Sequence, residues 1–355
     1  MKKIAIVIAE LAAPGGAEKV AVDLAEEFRS RQYDVTVIKF ACLPPGIARY
    51  DIPVRVINLQ IPERPGGLFT QVSILLQRAW QFRRLFHREQ FDHIFSFLEA
   101  ANVPCALACS DSVLSVHLDP DTMTRNEWLA FRWLYPRAKR VIAVSRQMQD
   151  VLEQRAGLKN VNCIYNPVNT ALIREKAGAT LDIEDKFILA VGRLERQKRF
   201  DLLLEAFARC KTQAYCKLVL LGRGSQQPIL EQRIGELGLE GRVLMAGFEP
   251  NPYKYMAKAE FQVMSSDYEG YPLVLIEALS LGCPIVSTDC PTGPREIVRD
   301  GENGLLVAKG DPDALAAGID ALFFDEPKRA RMREQAVESV RANDITVVAD
   351  AWLAA

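Results

Sequence analysis

SDYEGYPLVLIEALSLGCPIV (266–286) decides the fold of this chain. It reads as a strand ending at Ser265-Ser266, a loop carrying Asp267, Glu269 and Gly270, and then a helix. Pro272 sits where the helix begins, with φ preset and no N–H to leave unpaired. A second apolar strand, CPIVSTD (283–289), follows at once. Strand, loop, helix and strand in that order make one turn of a parallel α/β sheet.

The same alternation extends in both directions. Upstream in the second half lie KFILAVGRL (186–194), CKLVLLG (216–222), RVLMAGF (242–248) and EFQVMSS (260–266). The first half has its own series: KIAIVIA (3–9), DVTVIKF (34–40), VRVINL (54–59), HIFSFL (93–98), SVLSVHL (112–118) and RVIAVS (140–145). These Val/Ile/Leu-rich runs are nearly continuous, as strands buried on both faces are. The expected fold class is therefore α/β, with two Rossmann-like, doubly wound domains. The N-terminal domain is expected over 1–168, a linker over 169–185 and the C-terminal domain over 186–340. A final helix over 341–355 is expected to pack back on the N-terminal domain. Two such domains would face each other across a cleft lined by strand carboxyl ends, where ligands bind.

The 355 residues fit two domains, and 49% hydrophobic with 25% charged is an ordinary globular mixture. Net charge is −1, which argues against nucleic acid as a partner. The first 168 residues carry 21 Lys+Arg against 17 Asp+Glu, a mild positive excess. Eight cysteines form no C-x-x-C, and three histidines give no zinc spacing, so a reduced cytoplasmic protein is expected. Met1-Lys2-Lys3 before IAIVIAELAA imitates a signal peptide, but Glu10 interrupts the apolar run and a Gly pair follows, so it reads as a buried strand. No run of about 18 apolar residues is present to span a membrane.

The chemistry-bearing residues gather near strand ends. The helix after Pro272 would aim free amides and a positive dipole end at an anion such as phosphate. Glu269 at its mouth and Glu277 in its second turn can accept hydrogen bonds from sugar hydroxyls; each reads equally as a solubilising surface charge. Arg193 and Lys198 follow the next strand end and suit a diphosphate, although LERQKR also fits a solvated charge run. Gly15-Gly16, in the loop PGGA (14–17), lets amides approach an anion or simply makes a tight turn. His117 closes SVLSVHL, where a structural histidine is the plainer reading. Ser145 and Asn166 suit capping or turn roles.

E-x7-E in this setting, from Glu269 to Glu277, resembles the signature of retaining glycosyltransferase family 4, which has the GT-B fold. The resemblance also takes in VGRLERQKRFDLLLEAF (191–207), LGRG (221–224), AGF (246–248) and GENGLLV (301–307). It implies that Glu269 contacts the donor sugar and Glu277 the ribose. Gly270, Tyr271, Pro272 and Leu273 would line sugar and diphosphate by their backbone, with Phe248 also in the donor site. Arg193 and Lys198 would stabilise the leaving diphosphate. Gly15 and Gly16 would face the donor phosphate and the acceptor, and His117 the reacting sugar. The resemblance implies no metal and no cofactor beyond the nucleotide-sugar donor. DCPTGPREIVRDGENGLLV (289–307) resembles bacterial members that build lipid-linked oligosaccharides and surface polysaccharides, several of them on UDP-sugars.

Three further features bear on function. LFTQVSILLQRAWQFRRLFHREQ (68–90) mixes Leu75, Trp80, Phe82 and Phe86 with Arg78, Arg83, Arg84 and Arg88. It reads as a core-packed helix with a cationic outer face, or as a basic amphipathic helix on the inner face of the cell membrane. GRGSQQ (222–227) begins like a dinucleotide fingerprint but lacks the third glycine. Asp119-Pro120-Asp121 has the D-x-D form that holds a metal on a diphosphate in glycosyltransferases of another fold. The rival readings are a dinucleotide-dependent oxidoreductase, an epimerase on the same frame, and a nucleotide-sugar-binding protein without transfer activity.

Overall fold

The computed structural model describes residues 1–11, 15–41, 50–61, 67–117 and 123–355. The chain divides into two compact units, Met1–Pro167 with Ile345–Ala355, and Val168–Asp344. Asp119 and Asp121, with Pro14, lie outside the described residues.

The first unit runs β1 (Lys3–Ile8), α1 (Gly16–Ser30), β2 (Asp34–Lys39), β3 (Arg55–Asn58), α2 (Leu68–Glu89), β4 (His93–Phe97) and α3 (Glu99–Ala108). It continues with β5 (Ser112–Val116), α4 (Arg125–Trp133), β6 (Arg140–Ala143), α5 (Arg146–Ala156) and β7 (Val161–Cys163). The second unit runs α6 (Thr170–Ala177), β8 (Phe187–Val191), α7 (Phe200–Arg209), β9 (Lys217–Leu221), α8 (Gln227–Glu236), β10 (Val243–Gly247), α9 (Tyr253–Met256) and β11 (Gln262–Met264). After these come α10 (Leu273–Ser280), β12 (Ile285–Thr288), α11 (Pro294–Ile297), β13 (Gly304–Val307), α12 (Pro312–Phe324) and α13 (Glu326–Ser339). The last helix, α14 (Ile345–Ala354), belongs to the first unit.

Each unit holds one parallel sheet. The strand orders are β3-β2-β1-β4-β5-β6-β7 and β10-β9-β8-β11-β12-β13. The order reverses between β1 and β4 in the first sheet and between β8 and β11 in the second. Such a reversal opens a crevice at the carboxyl ends of the strands, the usual ligand site of this architecture. Register keeps those ends level, with Val191 beside Leu221 and Phe97 beside Ser115. Central strands are buried end to end, so their apolar runs need no alternation.

Two readings of the sequence are corrected. The stretch taken as a linker, 169–185, contains α6, and the second unit already begins at Val168. Asn169 caps α6 by accepting from Leu172 N at 3.0 Å, a signal masked by the preceding proline and the small residues that follow. On α2, Arg78 is buried, with its guanidinium 4.5 Å from the Phe40 ring centroid, so it is no part of a cationic outer face. Phe82, Leu85 and Phe86 on the same helix enter the core. Among the described residues no helix is long and apolar enough to cross a membrane.

In α14, Trp352 lies over the strand face, 5.1 Å from both the Phe95 and Phe97 ring centroids. Arg31 Nη2 donates to Thr346 O at 2.8 Å and Arg31 also pairs with Asp350. This helix therefore closes one face of the first sheet.

Candidate active site

The crevice between β8 and β11 is where the two strongest sequence candidates meet. Lys198 ends a short 3-10 turn, Arg196–Lys198, after β8, and Glu269 lies in the loop after β11. Lys198 Nζ lies 2.6 Å from Glu269 Oε1, with both side chains largely buried. Ser266 Oγ donates to the same carboxylate oxygen at 2.6 Å. The loops are also stitched through their backbones. Ser265 Oγ donates to Lys198 O at 2.8 Å, Asp267 N to Gln197 O at 2.9 Å, and Gln197 Nε2 to Tyr268 O at 2.8 Å. Thr292 Oγ1 bonds to Glu269 O from the next loop. Carboxylate and ammonium are thus held as a preorganised pair, with their stems fixed before any ligand arrives.

Helix α10 starts beside this pair. Pro272 is its N-cap and no side chain caps the first amides. Four residues into the helix, Glu277 is buried and accepts from the Tyr253 hydroxyl at 3.2 Å. Tyr271 is buried too, its hydroxyl accepting from Asn343 Nδ2 at 2.9 Å. The backbone from Gly270 to Pro272 is braced by Gly293. A methyl group there would meet Gly270 O and Pro272 Cδ, each at 2.8 Å.

On the other side of Lys198 the loops after β8, β9 and β10 interlock. Gly192 N donates to Leu221 O, Leu194 N to Arg223 O and Gly222 N to Gly247 O, at 3.0, 2.9 and 2.8 Å. Glu195 Oε2 accepts from Ser225 Oγ at 2.6 Å. Arg193 stands exposed at this rim and makes no salt bridge among the described residues. Phe248 is half-buried, and the Arg223 guanidinium lies 5.7 Å from its ring centroid. The two glycines of GRGSQQ are used up by this packing. A methyl on Gly222 would lie 1.8 Å from Gly192 O, and one on Gly224 2.3 Å from Leu194 O. They clear neighbouring backbone, and they sit away from the strand-order reversal where a dinucleotide would bind.

In the first unit, Gly15 is the N-cap of α1, with no side-chain cap, at the end of β1. His117 follows β5, with its Nε2 2.8 Å from Ser115 Oγ. Desolvation pushes its imidazole down to about 4, so the ring is neutral at pH 7. Ser145 caps α5 through Met148 N at 3.2 Å. The structure thus joins Lys198, Glu269 and the start of α10 in one unit, while Gly15, Gly16 and His117 belong to the other.

Sequence reasoning missed Ser266, Tyr253, Thr292 and Glu99. Tyr253 and Thr292 act through partners distant in sequence, and Ser266 through Glu269, three residues on, across a loop whose turn the sequence does not show. Glu99 follows β4 at the first sheet's own reversal, and burial pushes its carboxyl up to about 7 from 4.5. Below pH 4.5 folded and unfolded chains both hold this proton. Between about 4.5 and 7 only the unfolded chain releases it, so stability falls as pH rises. Above pH 7 the cost is complete, on the order of 3 kcal/mol.

Known proteins share this fold. Residues 14–172 match the family model "Glycosyltransferase Family 4" and residues 173–339 match "Glycosyl transferases group 1". A Campylobacter jejuni N-acetylgalactosamine-N,N'-diacetylbacillosaminyl-diphospho-undecaprenol 4-alpha-N-acetylgalactosaminyltransferase is 32% identical, over 98% of each chain. The structure of Anabaena Alr3699/HepE in complex with UDP superposes with a TM-score of 0.79 at 23% identity, over 100% of this chain and 99% of that one. The lipopolysaccharide outer core galactosyltransferase WaaB gives 0.76 at 19% identity, over 98% and 97%.

Proposed function

Because the chain belongs to the family 4 glycosyltransferases, with the GT-B fold, we propose that it moves a hexose or N-acetylhexosamine from a UDP-sugar to a lipid-linked glycan, with retention and without a divalent metal. The observation that carries this reading is the Lys198–Glu269 pair at the strand-order reversal, beside the uncapped start of α10. The donor diphosphate would lie against Lys198, Arg193 and the first amides of α10. Glu269, already oriented by Ser266, would accept hydrogen bonds from the sugar hydroxyls. As the C1–O bond to the diphosphate breaks, negative charge grows on the leaving oxygen, where Lys198 and the helix end stabilise it. Glu269 is tied to a lysine and a serine, which suits orientation of the sugar and makes it a poor nucleophile. Same-face attack assisted by the leaving diphosphate is the retaining route this arrangement favours.

Two cations and a helix terminus offset most of a diphosphate's charge, and a metal ion would be repelled by those cations. Transfer from a UDP-hexose or UDP-N-acetylhexosamine to an undecaprenyl-diphosphate-linked N-acetylhexosamine glycan is therefore expected to persist in excess EDTA. Loss of activity in EDTA, restored by Mn²⁺ or Mg²⁺, would bring Asp119 and Asp121 into the site. Inversion at the anomeric carbon of the product would remove the retaining route.

The two glutamates should separate by ligand. Glu277→Ala is expected to weaken UDP alone by roughly tenfold or more, through loss of a charge-assisted bond to the ribose. Glu269→Ala should leave UDP affinity near wild type and impair use of the intact donor. Calorimetry with UDP on both variants decides it, and equal losses would refute the division.

The lipid-linked acceptor implies contact with the inner face of the cell membrane. On α2, Phe69, Leu76 and Trp80 are exposed, as are Leu129 and Trp133 on α4. A groove of about 500 Å³ between them is lined by Leu75, Val103, Leu129, Trp133 and Leu134. Arg83, Arg84 and Arg88 are exposed at the end of the α2 stripe. Aromatic anchors beside arginines suit an anionic bilayer. The protein is expected to sediment with phosphatidylglycerol vesicles in a salt-sensitive way, and less so after Arg83, Arg84 and Arg88 are replaced by Gln. Wild-type protein that stays in the supernatant would eliminate this contact.

A further inference from the structure

The first sheet has a strand-order reversal of its own, between β1 and β4, and a second set of buried polar groups gathers near it. Glu99 opens α3 immediately after β4. The preceding residue, Leu98, has φ 69° and ψ 153°, a region that L side chains rarely occupy. Glu99 Oε1 is fully enclosed without a hydrogen-bond partner among the described residues. The Asn102 side chain, one turn along α3, and the Tyr135 hydroxyl are enclosed nearby and interact with each other. Asn102 Nδ2 donates to Ser115 O at 2.8 Å, tying this turn to the end of β5, where Ser115 also meets His117. An enclosed carboxylate oxygen left unpaired is uncommon, and Glu99 Oε1 beside these polar groups marks a place for a polar guest.

We propose that Glu99 is a further binding residue on the acceptor side, whose carboxylate accepts a hydrogen bond from a hydroxyl of the acceptor sugar. The assignment rests on the glycosyltransferase reading. A carboxylate suits this task because it is an acceptor only, and a sugar hydroxyl is a donor. The fold gains nothing from an ionised Glu99, since its burial outweighs the one backbone hydrogen bond it accepts and lowers stability as pH rises. Such a cost is commonly met at functional sites.

The surrounding charges allow a pH test. Glu127 on α4 raises the Glu99 carboxyl further, and the Tyr135 phenol is pushed well above its ordinary range, mainly by burial. Cys105 on α3 is pushed up to about 12, and His117 is neutral above pH 6. Arg78 and Arg83 on α2, and the Glu10–Lys39 pair beyond β1, are the other charged groups of the neighbouring elements. Glu99 is then the group that titrates near pH 7.

Acceptor kcat/KM is measured between pH 6 and 9 with a UDP-N-acetylhexosamine and the undecaprenyl-diphosphate-linked glycan. Wild-type values should rise through about pH 7. Glu99→Gln should lower acceptor kcat/KM by roughly 10- to 100-fold at pH 8 and abolish the rise. Glu99→Asp should retain the rise at a reduced rate. UDP affinity should not change in either variant, and Glu99→Gln should melt at a higher temperature than wild type at pH 8 but not at pH 5. A Glu99→Gln enzyme with wild-type acceptor KM and pH profile would overturn the assignment and leave a structural water as the guest. Wild-type protein that transfers no sugar would overturn the activity and this assignment together.

Discussion

Lys198→Ala is expected to lose about 3 kcal/mol of fold stability and roughly 100-fold or more in kcat/KM, from a single truncated side chain. The two losses have different origins. Stability falls because Glu269, only 6% exposed, is left without its lysine, with Ser266 as the remaining side-chain partner of its carboxylate among the described residues. Activity falls because the leaving diphosphate loses its cation. The double variant Lys198→Ala/Glu269→Gln should therefore recover most of the stability and none of the activity. Urea denaturation and steady-state kinetics on the single and double variants separate the terms. Lys198→Ala with wild-type kcat/KM would remove the lysine from the mechanism. Arg193→Ala, at the exposed rim, should lose activity without the loss of stability.

Gly222→Ala is expected to be the most damaging substitution of a small residue in the second unit. Its methyl group would lie 1.8 Å from Gly192 O, and its φ of 150° is one that alanine adopts only with strain. The Gly192 carbonyl belongs to the loop that leads to Lys198, so any relaxation moves the cation. A cost of several kcal/mol in stability and at least tenfold in UDP affinity is expected. Gly301→Ala is the matched control. It has φ 80° with nothing within 4 Å of the added methyl, so it should cost about 1 kcal/mol and leave UDP binding intact. Thermal melts and calorimetry on both variants decide the matter; a Gly222→Ala protein no worse than the control would refute the packing argument.

The fold class was legible because parallel strands buried on both faces announce themselves as unbroken apolar runs. KIAIVIA and CKLVLLG fall on β1 and β9 within a residue or two. The edge strands β3 and β10 were legible too, as VRVINL and RVLMAGF, but β7 and β13 were not. β7 has three residues and β13 four, and GENGLLV reads as a turn before it reads as a strand. The candidate site was legible in its members but not in its pairing. Nothing local to LERQKR or SDYEG says that Lys198 and Glu269, 71 residues apart, form an ion pair. That contact follows from strand order, which a linear pattern does not encode. Arg78 was misplaced for the same reason, since its aromatic partner Phe40 lies on another element. Glu99 was invisible because its burial comes from elements distant in sequence, which leave no local trace.

The place of α14 has a consequence for synthesis on the ribosome. The helix that covers Phe95 and Phe97 is translated only after all of Val168–Asp344. At ordinary elongation rates the nascent first unit waits roughly 10–40 s with that aromatic face bare. During that interval it is a chaperone client, whatever the stability of the finished protein. A pulse-labelled chain released from the ribosome before Ile345 should bind a holdase and resist folding, and a synthetic 345–355 peptide supplied in trans should release it. Substituting Trp352 should lower the yield of folded protein in cells more than it lowers the melting temperature of what survives.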